Sequence, residues 1–193
     1  MVIGSRWARR LAVAAVIPVV LASCGGGGGG GGGGPAISAE AYAAGFCGLL
    51  GDWLGSIQDR SSGLSGSFTA AASPADGQEI LGTYVDGLIA DTEELITGTE
   101  ELGVPDVDGG GTIAETLIAA FEDAKAVLED ARAEVDGLPT DDPAAFAEAS
   151  GALGVSIEAS LGAIGASLSL SDVSSPELDA AFAEDPACTG IGV

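Results

Sequence analysis

Apolar residues recur at steps of three and four through four long stretches of the chain, and breaks rich in Gly, Pro, Ser and Asp separate the stretches. That spacing brings the apolar side chains to one face of a helix, so the pattern predicts amphipathic helices; no stretch keeps the alternation of a strand. In the first, Tyr42, Phe46, Leu49, Leu50, Trp53, Leu54 and Ile57 hold the period, Ser38 is a candidate cap with Glu40 in the first turn, and Cys47 lies at the edge of the apolar face. The second carries Leu81, Tyr84, Val85, Leu88, Ile89, Leu95, Ile96 and Leu102. It opens on Ser73-Pro74-Ala75-Asp76, which joins a capping serine to a first-position proline and an acid three residues past the cap.

The third stretch places Leu117, Phe121, Ala124, Leu128, Ala131, Val135 and Leu138 on one face; Thr112-Ile113-Ala114-Glu115 has the spacing of a capping box, and Gly137 and Pro139 mark the end. The fourth opens on Asp142 and Pro143 and strings Phe146, Leu153, Ile157, Leu161, Ile164 and Leu168 along one stripe. Glu158 is its only charged residue between Ala149 and Ser171, so this helix is expected to be the most enclosed, with Gly151, Gly154, Gly162 and Gly165 letting neighbours approach. A short fifth helix is expected from Ser175-Pro176, packing through Leu178, Ala181 and Phe182 and stopping at Asp185-Pro186. Together these elements predict an all-α fold over residues 36–193, an up-and-down four-helix bundle with a short C-terminal helix in one domain.

The first 24 residues do not fit that pattern. Arg6, Arg9 and Arg10 precede an apolar run from Leu11 to Leu21, broken by Pro18, and small residues follow up to Cys24. The run is about half of the roughly 20 residues that a membrane-spanning helix needs, so residues 1–23 read as a cleaved export leader. Arg9-Arg10 would suit twin-arginine export, but the residues around the pair match that pattern poorly, and general export is expected. Leu21-Ala22-Ser23-Cys24 resembles the lipobox of bacterial lipoproteins. That resemblance implies cleavage just before Cys24 and a diacylglycerol on its thiol, with palmitate-type acyl chains holding the protein to the membrane.

Gly25 to Gly34 then form an unbroken glycine run closed by Pro35, so residues 24–35 read as a lipidated cysteine and a flexible tether. A glycine-rich coil of that length spans roughly 17 Å between its ends. No Lys-Ser or Lys-Thr follows, as a phosphate-binding loop would require.

Charge narrows the choice of partners. The chain of 193 residues has 29 acidic and 6 basic side chains and no histidine, and only Arg60, Lys125 and Arg132 are basic after the leader. Such a body is repelled by nucleic acid and by anionic lipid headgroups, so any hold on a membrane has to come from something other than a basic patch. The absence of histidine removes the commonest general base, the Ser-His-Asp triads and the histidine-containing zinc and di-iron sites. Glu93-Glu94, Glu100-Glu101 and Asp141-Asp142 are adjacent carboxylates that diverge by about 100° on a helix and read as solvated surface. Lys125 falls beside Glu122 and Glu129, the spacing of a surface ion pair. No catalytic role is assigned to any residue.

Two constellations carry candidate chemistry. With Cys24 taken by lipid, Cys47 and Cys188 are an even pair in an exported chain; a disulfide between them would staple the first helix to the C-terminal tail and, in the chain-entropy account, contribute about 5 kcal/mol. Asp106-Val107-Asp108-Gly109-Gly110-Gly111 resembles the opening of an EF-hand calcium loop, with Asp at positions one and three, Gly at six and Ile113 at eight. Position five is Gly110 and position twelve is Leu117, neither of which offers a ligand oxygen. Weak calcium binding over residues 106–112 through Asp106 and Asp108, or a glycine-rich acidic turn, are both open from the residues.

Tyr42-x-x-x-Phe46-Cys47 near the start of the body and Asp185-Pro186-Ala187-Cys188 at its end, in an alanine-rich and lysine-poor chain, resemble the small helical lipoproteins of actinobacteria. That resemblance implies an acyl anchor, a place on the extracytoplasmic face of the cell membrane and a helical body; it brings no activity with it. The function expected is a non-catalytic interaction module that meets another envelope protein. The alternative is a binding protein for a small apolar or cationic ligand held between helices. No cofactor is expected beyond the covalent diacylglycerol on Cys24 and the weak calcium of Asp106 and Asp108.

Overall fold

The computed structural model describes residues 35–167 and 175–189; the expected leader, Cys24, the glycine run and Leu168 lie outside them, as does the side chain of Ile164. The described chain is mostly helical: α1 (Ala39–Ala70), α2 (Pro74–Leu102), α3 (Gly110–Asp136), α4 (Pro143–Ser167) and the short α5 (Pro176–Glu184). Two-residue strands β1 (Ala36–Ile37) and β2 (Val104–Pro105) pair in parallel, Ala36 opposite Val104 and Ile37 opposite Pro105.

The helix starts follow local chemistry. Ser38 Oγ accepts from the Ala41 N–H at 3.3 Å, and Ser73 Oγ accepts from the Asp76 N–H at 3.2 Å while the Asp76 carboxylate accepts from the Ala72 N–H at 3.0 Å. Asp142 Oδ1 accepts from the N–H groups of Ala144 and Ala145, and Ser175 Oγ accepts from the Leu178 N–H at 3.2 Å. Each cap satisfies amides that the first helical turn leaves without an internal partner.

Packing joins consecutive helices. α2 lies against both α1 and α3, α4 lies along α3, and α5 lies on α1. The core has two apolar clusters. Tyr42, Ala43 and Phe46 of α1 meet Ile113 and Leu117 of α3 and Leu178 and Ala181 of α5 in the first. In the second, Val85 of α2 and Ala131 and Val135 of α3 meet Leu138 and, from α4, Phe146 and Leu153. Phe146 fits because α2 has Gly77 there; a Cβ at that position would stand 2.9 Å from its ring. Cys47 and Cys188 are joined by a disulfide with Cα atoms 5.1 Å apart, which ties α1 to the chain just past α5.

Four expectations need correction. Leu54, placed on the apolar face of α1, is among the exposed large hydrophobic residues. The Gly- and Ser-rich stretch after Ile57 is no break: α1 runs through it to Ala70, because no proline interrupts residues 39–73 and Phe68 is still packed against the second cluster. The capping box at Thr112 does not form. α3 begins at Gly110 behind Gly109, whose φ of 75° favours glycine, and the Thr116 hydroxyl bonds the Thr112 carbonyl inside the helix. Gly110 sits so close under the Pro105 carbonyl that a Cβ would collide with it, so the entry to α3 is set by backbone packing.

The fourth correction is the largest, since α4 is not the most enclosed helix. Phe146 and Leu153 are buried and Ile157 and Leu161 half-buried, but Val155 is 67% exposed, with Ala152, Ala159 and Ala163 exposed beside it. Charge poverty was the wrong guide here. α4 rests on α3, and its far side has no comparable neighbour among the described residues. No described helix is long and apolar enough to cross a membrane.

Candidate functional site

Pro35 is anchored by its carbonyl, which accepts from the Val104 N–H at 3.2 Å; the Ile37 carbonyl accepts from the Asp106 N–H at 2.6 Å. Gly103, with φ 88°, lets the chain turn under Pro35, where a Cβ would strike the proline carbonyl. Pro35 is therefore fixed beside the α2–α3 turn, at the end of the molecule that also holds the first cluster and the disulfide. α1 leads away from Pro35, and its 32 residues span about 48 Å.

A groove opens at the far end of that span, between the last third of α1 and the first third of α2. It has a volume of about 610 Å³ and is lined by Leu64 and Ala70 from α1 and by Ile80 and Tyr84 from α2, with Arg60 and Asp76 among its polar residues. The Arg60 guanidinium grips Asp91 with two bonds, Nε to Oδ2 at 2.5 Å and a terminal nitrogen to Oδ1 at 2.8 Å. That bond raises the Arg60 pKa above its usual value. Arg60 reaches Asp91 across Gly87, where a Cβ would collide with the guanidinium. Tyr84 OH lies 3.0 Å from Ser61 Oγ, a second tie between the two helices. The result is an apolar trough with a neutralised cation and a carboxylate, suited to a small amphipathic molecule.

The remaining basic residues are equally committed. Lys125 pairs with Glu129 at 3.3 Å, and Arg132 joins Asp86 at 2.8 Å and Asp136 at 2.5 Å. All three basic side chains among the described residues are thus engaged by carboxylates. Midway along the body Trp53 Nε1 donates to Thr92 Oγ1 at 3.2 Å, and Thr92, fully buried on α2, donates in turn to the Leu88 carbonyl.

Asp106 and Asp108 are both exposed in the turn before α3. The turn closes with Gly109, and residues from Gly110 through Leu117 are helical, so the stretch does not adopt a twelve-residue calcium loop. Among the described residues no group of three or more Asp, Glu or Cys side chains is arranged to hold a metal ion. The structure does not bring the turn together with the groove, which lies toward the other end of α1. Cys24 lies outside the described residues.

The groove was not anticipated from the sequence, because its walls come from residues separated in the chain by a helix turn-around. The one clue was Arg60, a rare cation in an acidic body, although nothing local pointed it at Asp91. The Tyr42 hydroxyl was also unforeseen: it is fully buried and has no hydrogen-bond partner, and burial pushes its pKa up to about 12. Comparison with known proteins returned no match among family models, curated proteins or solved structures.

Proposed function

We propose that this chain is a lipid-anchored, extracytoplasmic, non-catalytic interaction module of the cell envelope, held to the membrane through Cys24 and the glycine tether, with its helical body arranged as an up-and-down four-helix bundle. The observation that carries the reading is the outer face of α4, where Ala152, Val155, Ala159 and Ala163 are exposed and uncharged on an otherwise strongly acidic chain. An apolar face of this kind gains from being covered by another surface, and an envelope protein is the partner proposed. The lipobox sequence supports the anchor, and the absence of histidine supports a role without catalysis.

Mass spectrometry of the exported protein should find the N-terminal peptide beginning at an acylated Cys24; an unmodified cysteine or a retained leader rejects the anchor. A photo-reactive residue at position 155 should give one discrete adduct in intact cells, whereas the same residue at Glu122, on the acidic face of α3, should give none. Equal labelling from both positions, or from neither, rejects the interaction face.

The groove between α1 and α2 favours a second reading, binding of a small apolar or cationic ligand, because it joins an apolar floor to acidic neighbours such as Asp76 and Glu79. Native mass spectrometry of the full chain should then show a co-purified small molecule that Ile80→Trp displaces. Calcium drawn to the exposed carboxylates of Asp106 and Asp108 belongs to this second reading.

A further inference from the structure

α5 is fastened to the body in an unusual way. Among the described residues the amide hydrogen bonds of the segment close within it: Leu178 and Asp179 N–H groups to Ser175, Asp185 N–H to the Ala181 carbonyl, Ala187 N–H to the Asp185 carboxylate and Cys188 N–H to the Asp185 carbonyl, while Cys188 Sγ lies 3.8 Å from the Ala43 carbonyl of α1. What holds it to the rest is side-chain packing and one covalent bond. Leu178 and Ala181 are buried against α1 and α3, Phe182 meets Phe46 edge-on at 6.0 Å, and the disulfide follows at Cys188. Lifting α5 would break no backbone hydrogen bond to another element among the described residues, whereas lifting α3 would dismantle both apolar clusters and lifting α2 the second. Sub-global opening follows such boundaries.

The disulfide joins this segment to α1, and both its residues are enclosed: Cys47 is 1% and Cys188 3% exposed. A reductant in solution cannot line up on a sulfur so enclosed, so attack has to wait for the segment to lift. The surface beneath α5 is apolar and aromatic, made by Tyr42, Ala43 and Phe46, at the end where Pro35 leaves the body.

We propose that α5 and the residues through Thr189 form a redox latch, which opens independently of α2 and α3 and is returned to its seat by the Cys47–Cys188 disulfide, so that reduction leaves the Tyr42–Phe46 face uncovered. In the step itself, one thiolate of a dithiol attacks a protein sulfur, forming a mixed disulfide and releasing the other cysteine as a thiolate. The second thiol of the reagent then closes on the first, releasing the second cysteine. Two electrons pass to the protein, the dithiol becomes a cyclic disulfide, and its two protons end on Cys47 and Cys188. The latch does not rest on the tethered-module reading.

Hydrogen exchange of the full chain with and without dithiothreitol tests it. After reduction the amides of 178–184 should exchange at least about 100-fold faster, as loss of the cross-link's entropic hold implies, while the α3 amides around Leu128 and Val135 keep their protection. Reduction of the unmodified protein in native buffer supplies a second measurement that needs no variant. Its rate should level off at high dithiothreitol, at the opening rate of the latch, and should change little with low urea. Unchanged α5 exchange, loss of protection in α5 and α3 together, or a reduction rate that follows global unfolding would each overturn the latch.

Discussion

Tyr42→Phe should stabilise the protein. The Tyr42 ring is wholly buried and stacks on Phe46 with planes 4° apart and centroids 6.1 Å apart, while its hydroxyl has no partner. Phenylalanine keeps the ring and its packing and removes a polar atom that gave up water without a return. An unsatisfied buried hydroxyl costs about 1–3 kcal/mol, so the variant should gain roughly 2 kcal/mol near neutral pH, a rise in Tm of several degrees. The alkaline range supplies an independent check. Folding raises the phenol pKa from 10.0 to about 12, so the native chain holds this proton more tightly than the unfolded chain does. Its contribution is complete below pH 10 and is lost as pH rises toward 12, up to about 3 kcal/mol in all.

Urea unfolding at pH 8 and at pH 11, with an unchanged m-value, measures both effects. Wild type should lose more stability than Tyr42→Phe between the two pH values, and Tyr84 cancels because both proteins contain it. A variant less stable than wild type at pH 8, with a parallel alkaline decline, would show that the hydroxyl is satisfied in solution and would refute the reasoning.

Ser73→Ala removes the acceptor for the Asp76 amide and should cost about 1 kcal/mol by thermal melting, while Ser73→Asp should restore most of it. Phe146→Ala should cost about 3–5 kcal/mol and Val155→Ala within about 0.5 kcal/mol, although both residues lie on α4; similar losses would show that α4 is enclosed after all. Under the second reading, calorimetry with millimolar calcium should give a weak heat that Asp106→Asn with Asp108→Asn abolishes, since both carboxylates are exposed; no such heat removes calcium from that reading.

Helix starts were legible in the chain because a cap is settled by neighbours in sequence: Ser38, Ser73, Asp142 and Ser175 all accept from amides two or three residues ahead. The cysteine pairing was legible from number alone. The exposure of α4 was not, since an uncharged helix reads the same whether it is covered on all sides or rests on one neighbour, and that is decided by where α3 and the other helices leave space. The entry to α3 escaped for a similar reason: the contact of Gly110 with the Pro105 carbonyl overrode a well-spaced Thr112-Glu115 box. Arg60 on Asp91, the groove beside them and the stranded hydroxyl of Tyr42 likewise exist only once distant turns of helix are brought together. Periodicity specifies the side of a helix that seeks cover; packing specifies what covers it and which polar atoms are left without a partner.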